Sequence, residues 1–313
     1  MNLQSRPPSI PKLIVLLGAT GTGKTQVALQ IAKRMNMEIL SVDSRQVYQE
    51  MSLGTAQPPP EEQDGIKHHL IGSQPLSQTL SAGQFSEKAH EKLKSLIRRQ
   101  KRILIVGGSG FYIQALCEGL PKIPQAPSEI RKKWEEKLKT QKGIEELKKF
   151  LHQHDPIFCQ RTDEKNLRRW VRAAEVIEVS GRPFSSFLEE KGRLRTPQQN
   201  FRTFKIGLKM NRKELYDRLN KRVDHMINKG LEKEVKKLLQ QKIHIPPTIG
   251  YQEWTQYFEG KQSREKTIDL IKQKTRQYAK RQISWFKRDK NIRWFFPHEI
   301  ENMINCLKHE MNP

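Results

Sequence analysis

Cysteine is scarce: Cys117, Cys159 and Cys306 are the only three in 313 residues. They are far apart, odd in number and form no CxxC pair, which argues against a disulfide framework and a thiolate zinc site. They read as reduced thiols of a cytoplasmic protein. Long apolar runs are missing as well. The stretch Leu13-Ile14-Val15-Leu16-Leu17 is far too short to span a bilayer, and the segment Met1 to Pro11 has no apolar core of a signal peptide. Acidic residues are few beside basic ones, 34 against 58, leaving a formal net charge of +24. An excess of that size concerns partners rather than fold, and points to a nucleic acid or an anionic membrane. Two signatures common in nucleotide-driven proteins are also missing. No Asn-Lys-x-Asp guanine reader occurs, and the apolar run Ile103 to Val106 ends in Gly107-Gly108-Ser109-Gly110 rather than in a Mg²⁺-positioning carboxylate.

What is present is a strand–helix alternation. Leu13–Leu17, Glu38–Val42 and Arg102–Val106 are continuous apolar runs, as in parallel strands covered on both faces. Helical patterns over Lys24–Met35 and Phe85–Arg99 separate them. The order predicts an α/β fold, a doubly wound parallel sheet. Pro121, Pro124 and Pro127 then read as a linker, and Ser128–Glu190 as charged and helical without a strand. The expected organisation is a core of residues 1–122 and 195–313 with a small all-helical insertion over 123–194. Pro197 marks the exit, and Phe204–Leu208 returns to the sheet. Helices are expected over Arg212–Gln241 and Arg264–Arg288.

The chemistry starts at Gly18-Ala19-Thr20-Gly21-Thr22-Gly23-Lys24-Thr25, which fits GxxxxGK[ST] between a buried strand and a helix. Such a P-loop turns backbone N–H groups toward a polyphosphate, and the helix N-terminus adds favourable charge. Lys24 supplies a cation, and the Thr25 hydroxyl can ligate Mg²⁺. A cradle does not name its phosphate, so a small-molecule or nucleotide kinase is a standing alternative. The second strand ends at Asp43, at the same carboxyl edge as the P-loop, where ligands bind in open α/β sheets. Asp43 suits either a base acting on a group that attacks the bound ester or an N-cap for the turn that follows.

The blocks GATGTGKT, SVDSRQVYQEMSLGTAQP, HHLIG, VGGSGFYIQAL, RRWVRAAEV, IGYQEW and TRQYAKRQISWFKR, in this order from about Leu13 to Arg288, resemble the tRNA dimethylallyltransferases, or tRNA isopentenyltransferases. Ala19 stands where that family more often has Pro, and Gly72 where it often has Asp. The resemblance implies a P-loop NTPase-like core with a helical insertion that grips the tRNA anticodon stem-loop. It also implies a dimethylallyl diphosphate donor, Mg²⁺, transfer to N6 of the adenosine just 3′ of the anticodon, and a monomer.

On that reading Asp43 takes the N6 proton and Ser44 helps hold it. Arg222 grips the leaving diphosphate, with Arg218, one turn away, as second choice. The RNA contacts expected are Asp43, Ser44, Arg45, Gln46, Ser109, Gly250, Tyr251, Lys280, Arg281 and Gln282, with Arg168, Arg169 and Arg172 in the insertion. Gly108 and Gly110 would let RNA approach the backbone closely. Lys272, Arg276, Lys280 and Lys287 share one basic face of the last long helix. Ile271, Tyr278 and Trp285 share another, read as core, as is Phe286. His68 and His69 are placed on a loop with no metal assigned.

Overall fold

The apolar run beginning at Leu13 splits by parity. Leu13, Val15 and Leu17 pack into one buried cluster, while Ile14 and Leu16 pack into another. A strand with alternating faces and no polar side must lie inside a three-layer stack. The computed structural model describes residues 11–190 and 201–311; Pro197 lies outside them. The run forms β1 (Lys12–Gly18), followed by α1 (Lys24–Met35), β2 (Met37–Val42), β3 (His68–His69), α2 (Ala82–Arg98), β4 (Arg102–Gly107) and α3 (Gly110–Cys117). Five helices come next: α4 (Ser128–Lys137), α5 (Gln141–His154), α6 (Pro156–Arg161), α7 (Leu167–Ser180) and α8 (Phe184–Glu189). The chain continues through β5 (Arg202–Leu208), α9 (Arg212–Asn228), α10 (Leu231–Gln240), α11 (Trp254–Phe258), α12 (Arg264–Phe286), β6 (Arg293–Phe295) and α13 (Ile300–Met311).

The strands form one parallel six-stranded sheet in the order β3-β2-β4-β1-β5-β6. One face is covered by α1 and α13, the other by α2, α3, α9, α10 and α12. Each fully buried Leu, Ile or Val on these faces contributes about 1.5–3 kcal/mol. β1 and β2 are consecutive in sequence but separated by β4, so the chain leaves β1 in one direction and later returns to its other side as β5. That reversal opens a crevice at the carboxyl ends of β1 and β4. The P-loop follows β1, Asp43 follows β2, and Gly108 follows β4.

The chain divides into two compact units, Met1–Glu118 with Gln199–Pro313, and Gly119–Gln198; the second is slightly wider than the expected 123–194. It has a core of its own around Trp134, Leu147, Leu151, Phe158 and Trp170. Two acids are buried in it. Asp155 caps α6 at Phe158 N–H (3.1 Å) and accepts from Ser185 N–H and Oγ (2.7 and 2.6 Å). Glu175 accepts from Arg131 (2.7 Å) and Arg172 (3.0 Å).

Four readings of the sequence are corrected. His68 and His69 are a strand, paired with Ile39 and Leu40, and His69 Nε2 lies 2.7 Å from Glu38 Oε2. The helical stretch Arg212–Gln241 is two helices, because Gly230 takes φ 98° between them. β6 and the terminal helix α13 were not anticipated. The second helix starts earlier than Phe85, since Ser81 and Gln84 form a capping box ahead of it.

Candidate active site

The residues that follow β1, β2 and β4 line a single cavity of about 630 Å³, within the range of ligand sites. Thr20, Gly21, Gly23, Lys24 and Thr25 form one wall, and Asp43 through Gln46 form another. Arg218 and Arg222 reach in from α9, and Tyr278, Arg281 and Gln282 from α12. The P-loop is thus a cavity wall opening onto a carboxylate.

Lys24 Nζ donates to the carbonyls of Gly18 (2.9 Å) and Ala19 (2.8 Å). Burial lowers its pKa from the ordinary 10.5 to about 8; the Arg222 charge pushes the same way and Asp43 the other. Burial also lowers the Arg222 pKa against the pull of Asp43, and its Nη2 donates to Thr55 O (3.3 Å). Two desolvated cations and one carboxylate therefore face one another, an arrangement that an incoming polyanion would stabilise. Arg218 is more exposed, with Glu214 4.0 Å away. Thr22 is buried and closes the loop onto Ala19 O (2.8 Å). Thr25 is exposed to the cavity.

Asp43 Oδ1 accepts from the N–H groups of Arg45 (2.8 Å) and Gln46 (3.1 Å). The capping reading is therefore met by one oxygen. Oδ2 has no hydrogen bond among the described residues, and the cap fixes where it sits. Ser44 N–H donates to Ser109 Oγ (3.1 Å), and Ser109 Oγ–H to Ser44 Oγ (3.3 Å), which ties the end of β2 to the end of β4.

Several expected RNA contacts have other tasks. Gln282 is buried; its Oε1 accepts from Thr20 N–H (2.9 Å) and its Nε2 donates to Gly108 O (2.7 Å). Both polar atoms clamp α12 to the P-loop and to the end of β4. Tyr251 is 2 % exposed, with its OH donating to Glu234 Oε1 (2.6 Å). Gly250 is buried and its N–H donates to Glu253 (2.7 Å). Gln46 Nε2 donates to the Thr55 and Ala56 carbonyls (3.0 and 2.9 Å). Arg45 reaches Ser44 O (3.1 Å) and Pro247 O (2.9 Å). Arg172 is held by buried Glu175 and by Pro124 O (2.8 Å), whereas Arg168 and Arg169 are exposed. Gly108 and Gly110 are small because the protein packs on them: a Cβ would come 2.9 Å from Gln282 Nε2 and 2.3 Å from Trp285 Cδ1.

The face expected to be core on α12 also needs correction. Ile271 and Phe286 are buried, but Tyr278 lines the cavity and Trp285 is exposed. Burial, then the Asp43 charge, raises the Tyr278 pKa to about 12 against a hydrogen bond with Ser109. It remains a neutral phenol beside the carboxylate. Its signal was its position four residues before Gln282 and three before Arg281 on one helix. A second missed residue is Glu234 of α10, which also accepts from Ser52 Oγ (2.9 Å) and from the N–H groups of Leu53 and Gly54 (3.0 and 3.3 Å). It anchors the loop whose Thr55 carbonyl receives Arg222.

The Gln282 clamp has a measurable consequence. Gln282→Glu keeps the acceptor for Thr20 N–H but sets a carboxylate oxygen against Gly108 O. A buried acceptor facing an acceptor costs about 1–3 kcal/mol, so a melting temperature lower by several degrees is expected in differential scanning calorimetry. An unchanged melting temperature would show that the clamp carries no stability.

A family model described as IPP transferase matches residues 46–289. The tRNA dimethylallyltransferase of Christiangramia forsetii is 40 % identical over 302 residues, covering 96 % of this chain and 98 % of the relative. The tRNA dimethylallyltransferase 1 of Bacteroides thetaiotaomicron is 37 % identical, covering 96 % of each. Among solved structures, the full-length tRNA isopentenylpyrophosphate transferase of Bacillus halodurans is 33 % identical with a TM-score of 0.70, covering 96 % of each chain. A eukaryotic dimethylallyltransferase, seen acting on tRNA, is 30 % identical with a TM-score of 0.69, covering 88 % of this chain and 70 % of that one. With the Gly18–Thr25 loop and the carboxylate in one cavity, these matches place the chain in the IPP transferase family, among the tRNA dimethylallyltransferases.

Proposed function

We propose that this chain, as a cytoplasmic monomer, transfers the dimethylallyl group of dimethylallyl diphosphate to N6 of the adenosine on the 3′ side of a tRNA anticodon. The observation that carries the reading is the meeting of the P-loop cations and Asp43 in one cavity. A kinase's cradle holds the group to be delivered. Here the cradle holds the group that leaves. As the allylic C–O bond breaks, its electron pair and growing charge pass to the diphosphate. The Lys24 ammonium, the Arg222 guanidinium and the P-loop N–H groups stabilise that charge, most strongly in the transition state. The adenine amine is a poor nucleophile, since its lone pair is delocalised, and becomes cationic as the N6–C bond forms. Asp43 Oδ2 takes its proton while Oδ1 stays fixed by the cap. The target base must be turned out of its loop to reach an enclosed site.

Among the described residues no group of three or more His, Cys, Asp or Glu could hold a metal. The Thr25 hydroxyl, exposed to the cavity beside Lys24, suits Mg²⁺, which keeps few protein ligands and relies on substrate phosphates. Thr25 Oγ1 would hold it with the donor's oxygens. When bound, Mg²⁺ supplies further neutralisation of the leaving diphosphate. Arg168 and Arg169 of the insertion, and the cations late in α12, fit RNA phosphates.

Mass spectrometry of nucleosides from unmodified tRNA, incubated with the chain and labelled dimethylallyl diphosphate or ATP, tests the reading. Label on adenosine is the expected result; ATP turnover without label would restore the kinase alternative, which none of the relatives named above favours.

Lys24 sets a pH dependence. Its proton is present below about 8 in the free protein, and only the charged form attracts diphosphate. The kcat/KM for the donor is therefore expected to be highest below pH 8 and to fall as pH rises through it. The kcat should fall at higher pH, because a bound polyanion raises the lysine pKa. Coincident profiles would remove Lys24 from donor capture.

A further inference from the structure

Helix α12 is not uniformly basic toward solvent. Lys272 pairs with Asp224 (2.6 Å), Lys274 with Glu253 (3.0 Å), and Arg276 donates to Asn220 Oδ1 (2.6 Å). Lys280, Arg281, Lys287 and Arg288, at and just past its C-terminal end, are exposed and make no ion pair among the described residues. Arg281 and Arg288, four residues before and three after Trp285, share its side of the chain, where two aromatics are exposed. Phe111 at the start of α3 is 50 % exposed and Trp285 is 38 % exposed, their rings edge to face at 6.4 Å. The Trp285 indole rests against Gly110, where a Cβ would come within 2.3 Å, and the Arg288 guanidinium lies 5.8 Å from its ring centre. The pair is thus packed against the protein on one side and open to solvent on the other. It is also continuous with the cavity. Arg281, one helical turn before Trp285, lines the cavity, and so does Gly108, two residues before Gly110.

We propose that Phe111, braced by Trp285, is a stacking platform for one unpaired loop base of the RNA, next to the base that enters the cavity. The inference rests on the tRNA-modifying reading above and adds a second nucleobase site to it. Two adjoining exposed rings offer a π face to any base, and Arg281 and Arg288 on the same side complement the flanking phosphates. An apolar protein partner would not be matched by two arginines, Arg281 and Arg288, beside so small a patch.

Anticodon stem-loops carrying 5-iodouracil at each loop position in turn, photo-crosslinked and mapped by mass spectrometry, test this. One position beside the target should crosslink to Phe111 or Trp285. Phe111→Ala should weaken equilibrium binding of the stem-loop on the order of 10-fold, as loss of one stacked base does, and Phe111→Tyr should restore it. Phe111 is half exposed, so folding is not at stake, and unchanged inhibition by inorganic diphosphate controls for it. Crosslinks mapped elsewhere, or weakened binding that Tyr fails to rescue, would overturn the platform. A wild-type chain that transfers no prenyl group would instead overturn the function on which it rests.

Discussion

Asp43→Asn is expected to lower the single-turnover rate of prenyl transfer by about 10²-fold or more, the usual contribution of a general base, while tRNA affinity and melting temperature stay near wild type. The choice of Asn follows from the geometry. Asp43 Oδ1 caps Arg45 and Gln46 through two backbone N–H groups, and an Asn side-chain oxygen can make the same bonds. Only the second oxygen changes, from an acceptor of protons to an amide. Asp43→Ala removes both functions and should add a loss of about 0.5–2 kcal/mol in stability. A rate near wild type in the Asn variant would make Asp43 a cap and nothing more. A stability loss in Asn equal to that in Ala would show that the cap needs the charge.

Arg222→Gln should act on the donor. Removing one donor from a developing oxyanion costs on the order of 10²–10³ in rate, so kcat/KM for dimethylallyl diphosphate is expected to fall by about that factor. Inorganic diphosphate should lose potency as an inhibitor, and stem-loop affinity should change little. Arg222 is held at Thr55 O by a loop that Glu234 secures through several hydrogen bonds. Arg222→Lys keeps the charge but loses the fork, and should recover only part of the activity. A variant impaired in RNA binding alone would move Arg222 to the RNA surface and leave Arg218, nearer solvent in the same cavity, to meet the leaving group.

The P-loop and its flanks were legible because they are local. A buried strand, a glycine-rich turn and a helix start within about a dozen residues, and each carries its own signal. Asp43 was legible as a strand-end carboxylate, but its two readings could not be separated, because a cap occupies one oxygen and leaves the other open. The residues whose packing roles were not legible share a cause: their partners are remote. Gln282 answers to Thr20 and Gly108, Tyr251 to Glu234, and Arg172 to Pro124 as well as to its near neighbour Glu175. A polar residue in a basic, RNA-like stretch looks available until the chain folds and claims its hydrogen bonds. Trp285 failed differently. Next to buried Phe286 it reads as core, yet one residue is about 100° of helix, enough to turn it from the sheet to the surface. β3 and β6, two and three residues long, carry too little pattern to register.

The brevity of those two strands has its own effect. They are the outermost members of the sheet, flanking interior strands of six and seven residues. An unpaired strand margin is a template on which another chain can add itself, and short margins are one of the ways proteins discourage it. With margins of two and three residues, the described sheet offers another chain almost no exposed ladder to extend, which discourages edge-to-edge pairing.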